Sequence, residues 1–230
     1  MVTTVDRSKH TQPLESSAGS SLSERTVLTG ISWATYEHLI EDYADRAGSR
    51  LAYDRGTLEI MSPTVPHEGI NLHLAEIVNL VAGQLGVDLL SAGSVTIRQR
   101  AKERGFEADS TFYFSNLALI ESLTTTIDLS IHPPPDLVIE VDATNSSLPK
   151  LPLFAALGVP EVWRVEDVVA GDVLIYVLRD GAYVRSSASD ALGLLTEEVL
   201  TRLLRDRKRL GSAAWFKHVL TWAQEQAAKT

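Results

Sequence analysis

The sequence predicts an α/β protein in which a mixed β-sheet is flanked by helices. Three observations carry that prediction. Apolar residues recur at helical spacing in two long segments, Trp33, Tyr36, Leu39, Ile40 and Tyr43 in the first and Ile70, Leu74, Ile77, Val78, Val81 and Leu85 in the second. Short runs rich in β-branched and aromatic residues, bounded by Gly, Pro or Asp, have the length and composition of strands. The two patterns interleave along the chain with no internal repeat and no interdomain linker, as in a single layered domain. At 230 residues and 44% apolar, the chain has the material for a real core.

Residues 1–28 are rich in Ser, Thr and other polar residues and are expected to form a flexible N-terminal tail. Ser32 caps a helix running to about Ala47, and Gly48 ends it. Arg50–Tyr53 and Thr57–Met61 form a hairpin across Asp54-Arg55-Gly56. A loop, Ser62 to Glu68, enters the second helix, with Pro66 and Glu68 suited to its first turn and Gly86 at its end. Strands are expected at Val87–Leu90 and Val95–Gln99, then a charged turn, then one strand from Phe106 to Phe114. That strand sets Glu107 and Asp109 on one face with Thr111 and Tyr113, and Phe106, Phe112 and Phe114 on the other. Residues 115–134 read as a short helix and a loop. After the strand Leu137–Val141 come a helix to Leu157, strands at 161–165, 173–178 and 182–186, and helices near 196–205 and 212–228. The main domain is therefore placed at residues 29–190, with 191–230 as a helical extension packed on it.

Composition narrows the chemistry. There is no cysteine, which removes disulfides, thiolate zinc sites and cysteine nucleophiles and suits a cytoplasmic location. The start is polar, without a signal-peptide core, and no apolar run reaches the ~20 residues of a membrane span. A net charge of −9 opposes wholesale electrostatic binding of nucleic acid but leaves room for a local basic groove. Arg98, Arg100, Lys102 and Arg104 could supply one, or form a solvated turn.

The informative stretch is Pro133 to Lys150. In the strand Leu137–Val141, Glu140 shares a face with Asp136, Val138 and Asp142, while Leu137, Ile139 and Val141 take the other. A carboxylate inside a core strand is costly unless something pairs it. Two consecutive core-like strands thus present acids, Asp109 on one and Glu140 on the next, and Lys150 opens the following helix. Mg²⁺ takes only one or two carboxylates and leaves its other positions to water and substrate phosphate oxygens, so this pair meets the minimum. Taken singly, each acid could equally be a salt-bridged strand-end residue. His67 could contact a metal or substrate, or cap the helix.

The segments Met61-Ser62-Pro63 with His67, Gly105-Phe106-Glu107-Ala108-Asp109, Pro134-Pro135-Asp136-Leu137-Val138-Ile139-Glu140-Val141, Lys150, and Gly158-Val159-Pro160-Glu161-Val162-Trp163 resemble the Uma2 family, also called DUF820, of the PD-(D/E)XK nuclease superfamily. The resemblance runs from about Trp33 to Ser187. It implies a restriction-endonuclease-like fold and a Mg²⁺- or Mn²⁺-dependent endonuclease acting on DNA, with Asp109 and Glu140 as metal ligands, Lys150 completing the catalytic set, and a homodimer as the assembly. His67, Glu68, Glu107 and Asp142 are then candidates for contacting substrate or supporting the acids. Two departures stand out. Asp142 occupies the place where the superfamily carries its lysine, so that the role passes to Lys150, and Ala108 stands where the family commonly has proline. The alternatives are a catalytically inactive module that binds nucleic acid or protein, and a metal-independent hydrolase using paired carboxylates.

Overall fold

The computed structural model describes residues 24–43, 48–123, 126–142 and 148–229. Its elements in chain order are β1 (Glu24–Thr29), α1 (Trp33–Tyr43), β2 (Arg50–Asp54), β3 (Thr57–Ser62), α2 (Val65–Leu85), β4 (Leu90–Gly93), β5 (Thr96–Gln99), β6 (Arg104–Glu107), β7 (Ser110–Tyr113), α3 (Leu117–Ile120), β8 (Thr126–Asp128), β9 (Leu137–Val141), α4 (Lys150–Leu157), β10 (Glu161–Val165), β11 (Val173–Arg179), β12 (Ala182–Ser186), α5 (Glu197–Arg209) and α6 (Ser212–Ala227). Local chemistry explains several boundaries. The Ser32 hydroxyl accepts the Thr35 N–H at 3.1 Å and starts α1. In the β2–β3 turn, Arg55 and Gly56 both take positive φ, 45° and 95°, the backbone that a two-residue hairpin needs.

The strands form two six-stranded mixed sheets, ordered β1-β3-β2-β6-β5-β8 and β12-β11-β10-β9-β7-β4. The chain passes from the first sheet to the second between β6 and β7, through Ala108 and Asp109. Strand β9 lies between β7, antiparallel to it, and β10, parallel to it. Its odd residues Leu137, Ile139 and Val141 enter one core with Trp163, Ile175, Leu74, Val78, Leu200, Trp215 and Val219. The C-terminal helices α5 and α6 therefore share their core with α2 and the second sheet. Val138 faces a second core, where Phe106 meets Phe154 edge-on at 4.6 Å alongside Ile97, Leu153 and Val162. A third cluster seats α1 on the first sheet through Trp33, Tyr36, Leu51, Tyr53 and Leu58.

Several expectations are corrected. The single sheet is two, because the strand expected at 106–114 breaks at Ala108–Asp109. Residues 24–28, placed in the tail by their composition, form most of edge strand β1, paired in register with β3. The remaining tail residues 1–23, and the residues 44–47 expected to end α1, lie outside the described residues. The strand at 87–90 forms three residues later. Strand β8 falls where the sequence predicts loop, since three residues with one apolar side chain, Ile127, give no alternation to detect. The second C-terminal helical pattern matches α6, and α5 extends four residues beyond its expected end.

The third cluster fixes one glycine. Tyr36 is fully buried and stacked on Tyr53 at 4.7 Å, and its hydroxyl lies against the Gly105 Cα. A Cβ at Gly105 would overlap that hydroxyl and come within 2.9 Å of Tyr36 Cζ. Gly105→Ala is expected to lower stability by about 1–3 kcal/mol, read from the urea midpoint, and Tyr36→Phe should relieve part of that loss in the double variant.

Candidate active site

The ladder between β7 and β9 brings the two acids together. Its last registered pair is Ser110 with Ile139. One step further along, the same register sets Asp109 opposite Glu140. At that step the backbone ladder stops and a side chain takes over, with Asp109 Oδ2 accepting the Val141 N–H at 2.7 Å. This substitution of carboxylate for carbonyl explains why the strand divides here.

Helix α2 clamps Asp109 from the other side. Asn71 Nδ2 donates to the Asp109 carbonyl at 3.2 Å, and Asn71 Oδ1 accepts from Ser110 Oγ at 2.8 Å. His67, one turn earlier on the same helix, places Nε2 3.3 Å from Asp109 Oδ2. Arg50 Nε lies 3.1 Å from Asp109 Oδ1, while its Nη2 donates to Glu68 Oε2 at 2.9 Å. The Arg50–Asp109 and His67–Asp109 contacts are close but poorly aligned, and among the described residues Asp109 Oδ1 makes no hydrogen bond.

Lys150 Nζ is ion-paired with Glu140 Oε1, and Glu140 Oε2 has no hydrogen-bond partner among the described residues. The same ammonium lies 3.7 Å from Glu59 Oε1. Glu59 also meets Arg25 Nη1 at 3.3 Å, and Arg25 Nη2 reaches Asp142 Oδ1 at 2.7 Å. Arg164 holds the other Asp142 oxygen at 2.8 Å. Asp109, Glu140, Glu59 and Asp142 are each no more than 3% exposed, so these are desolvated charges rather than surface pairs.

Burial sets the protonation chemistry. It raises the Asp109 carboxyl above its ordinary range, against the pull of Arg50 and Lys150. It pushes Glu140 up to about 7, with Lys150 opposing and the Asp109 charge adding to the rise. Burial works to lower Lys150, but Glu140, Asp109 and Glu59 outweigh it and hold the ammonium charged. His67 is lowered by burial and stays neutral at pH 7.

Of the residues singled out from sequence, Asp109, Glu140, Lys150 and His67 converge, and Glu68 joins through Arg50. Glu107 does not. Its two oxygens accept from Thr96 Oγ1 at 2.6 Å and the Leu51 N–H at 2.9 Å, which ties β2 and β5 across β6. Asp142 lies at the edge, engaged by two arginines. The basic cluster folds back on the protein, with Arg98 and Arg100 on Glu37, Arg104 on Asp54, and Lys102 on the Ala156 carbonyl. Sequence reasoning missed Arg25, Arg50, Glu59, Asn71 and Arg164. Glu59 had a usable signal, a carboxylate between Leu58 and Ile60 in an apolar strand, which is the signal that marked Glu140.

Among the described residues no three His, Cys, Asp or Glu side chains converge as a complete set of metal ligands. A Mg²⁺-type ion does not need three. Glu140 Oε2 and Asp109 Oδ1, both buried and without hydrogen bonds among the described residues, are the donors that fit it.

Among the described residues two mixed sheets meet where β6 passes into β7, flanked by six helices and with acids and a lysine at the joint, an architecture of the restriction-endonuclease-like class. The Uma2 family profile, described as "Putative restriction endonuclease", matches residues 33–205, and the chain belongs to that family. A crystal structure from Anabaena variabilis ATCC 29413, described as a putative nuclease belonging to DUF820, is similar in fold. It is 14% identical with a TM-score of 0.51, over 76% of this chain and 99% of that one. No curated protein matches the sequence. Among the described residues no helix is long and apolar enough to cross a membrane.

Glu140 makes stability depend on pH. A carboxyl whose folded pKa of about 7 lies above its unfolded value binds its proton more tightly when folded, so its contribution is greatest at low pH and is lost as pH rises towards 7. His67, lowered by burial, works in the opposite sense. The stability of the wild type relative to Glu140→Gln, without added metal, should therefore fall between about pH 5 and pH 8. Paired urea titrations across that range check it, and a difference that stays flat or rises contradicts the assignment.

Proposed function

We propose that this protein is a divalent-metal-dependent nuclease that hydrolyses phosphodiester bonds of DNA. The observation that carries the reading is the pairing of Asp109 and Glu140 as cross-strand neighbours at the sheet joint, beside the Lys150 ammonium, each with a buried oxygen that accepts no hydrogen bond among the described residues, the Asp109 one facing Arg50. Asp109 and Glu140 would hold Mg²⁺ or Mn²⁺, which when bound supplies Lewis acidity towards a phosphoryl oxygen and acidifies a coordinated water. The protein's own groups do the rest. The Val141 N–H and Asn71 fix Asp109 through its carboxylate and its carbonyl, so the first acid is set before substrate arrives. His67, neutral and fully buried, adds no positive charge against a cation. Lys150, kept charged by its carboxylates, offsets the negative charge that grows on the phosphoryl oxygens as water attacks and the P–O bond to the leaving oxygen breaks. By analogy with nucleases of this fold that cut both strands of a duplex as dimers, a homodimer is the expected working assembly.

Burial favours a second reading, a binding module that keeps the fold without catalysis, because Asp109 and Glu140 are only 2% and 1% exposed. The two readings separate on one experiment. Plasmid and single-stranded DNA are incubated with wild type, Glu140→Gln and Lys150→Met, with Mn²⁺ or with chelator. The nuclease reading expects metal-dependent cleavage that drops by about two to three orders of magnitude in either variant. DNA binding that survives chelator and both substitutions, with no cleavage of either substrate, establishes the binding module instead.

A further inference from the structure

Lys150 stands at the first residue of α4, where the helix dipole disfavours a cation. It is buried there between two carboxylates, paired with Glu140 and 3.7 Å from Glu59. One carboxylate would neutralise it. The second acquires a purpose once Glu140 has other work. If Glu140 gave its charge to a cation, a lysine with no other counter-charge would be left buried, unpaired and next to a second positive charge, a strongly unfavourable arrangement.

We propose that Glu59 is the second seat of Lys150, a positioning residue that receives the ammonium whenever the Glu140 charge is engaged elsewhere. The assignment rests on the reading of Glu140 as a metal ligand for its purpose, though not for its geometry. Glu59 is built for the part. It lies on β3 opposite Val27 of β1, so Arg25, two residues back on the same face, reaches it diagonally across the ladder. Arg25 in turn is fixed by Asp142, and Asp142 by Arg164, which also pairs with Glu166 at 3.0 Å. From Glu140 through Lys150, Glu59, Arg25, Asp142 and Arg164 to Glu166 the charges alternate without a break. Glu59 is thereby anchored on one side and can share a cation on the other, and the ammonium has only a short distance to move.

Two measurements test this. Calorimetric titration of Mn²⁺ compares wild type, Glu59→Gln, Lys150→Met and the double variant, with thermal melts to show that each is folded. Glu59→Gln should weaken Mn²⁺ binding by about tenfold or more, because Lys150 can no longer leave Glu140, and Glu59→Asp should restore part of the affinity. In the Lys150→Met background the same Glu59→Gln change should matter by less than about threefold. Undiminished affinity in Glu59→Gln, or an equal loss in both backgrounds, overturns the proposal. The second measurement needs no metal. In a crystal structure of Glu140→Gln the Lys150 ammonium should sit within hydrogen-bond distance of Glu59, and an ammonium still on the substituted amide or turned away from Glu59 overturns it. A wild type that binds no Mn²⁺ sinks the nuclease reading alone, and the Glu140→Gln structure still decides the role of Glu59.

Discussion

The hydrogen bond from the Val141 N–H to the Asp109 carboxylate holds the rest of the site in place. It takes a ladder donor away from the backbone, and the chain uses the interruption to step from one sheet to the other. The step sets Asp109 beside Glu140, which Lys150 reaches from α4, and leaves the Asp109 carbonyl to accept from Asn71. The bond is short, at 2.7 Å, and buried, and its acceptor is a carboxylate oxygen standing where the ladder would place a carbonyl. Helix α2 then serves two masters. One face of its first turns presents His67 and Asn71 to the joint, and further along it packs Leu74, Ile77 and Val78 into the core shared with α5 and α6.

The second constraint is desolvation. Four carboxylates with almost no exposure cannot remain as isolated charges, and the structure surrounds them with Arg25, Arg50, Lys150 and Arg164. The balance is uneven by position. Asp142, Glu59 and Asp109 are each met by a guanidinium group and Glu140 by the Lys150 ammonium, and among the described residues Asp109 Oδ1 and Glu140 Oε2 accept no hydrogen bond.

Much of the fold was legible in the sequence because local chemistry and periodicity agree there. Helix α2, the β2–β3 hairpin and strand β9 announce themselves by apolar spacing, turn residues and flanking prolines. The sheet break was not legible, since Phe106 to Phe114 reads as a continuous alternating strand and only the side-chain acceptor at Asp109 divides it. For the site, a carboxylate in an apolar strand was the right signal but an incomplete one. Glu107 and Glu161 give the same signal, and both are consumed structurally. Glu161 accepts from Trp163 Nε1 at 2.5 Å and from the Asp190 and Ala191 N–H groups at 2.8 and 3.0 Å. What separates Glu140 from them is a spare oxygen, which depends on tertiary neighbours. Arg25 and Arg164 were invisible for the same reason, being brought to Asp142 from 117 and 22 residues away.

Strand β1 gives the family match an unexpected edge. The matched region begins at residue 33, yet Arg25 lies before it and neutralises two of the buried carboxylates. A chain trimmed to the matched region would keep Asp109, Glu140 and Lys150 but lose a cation from the interior and an edge strand from the first sheet. In this chain the electrostatic balance of the site is therefore completed from outside the matched region, by a short edge strand that tunes the charge at the joint without supplying any of its acids.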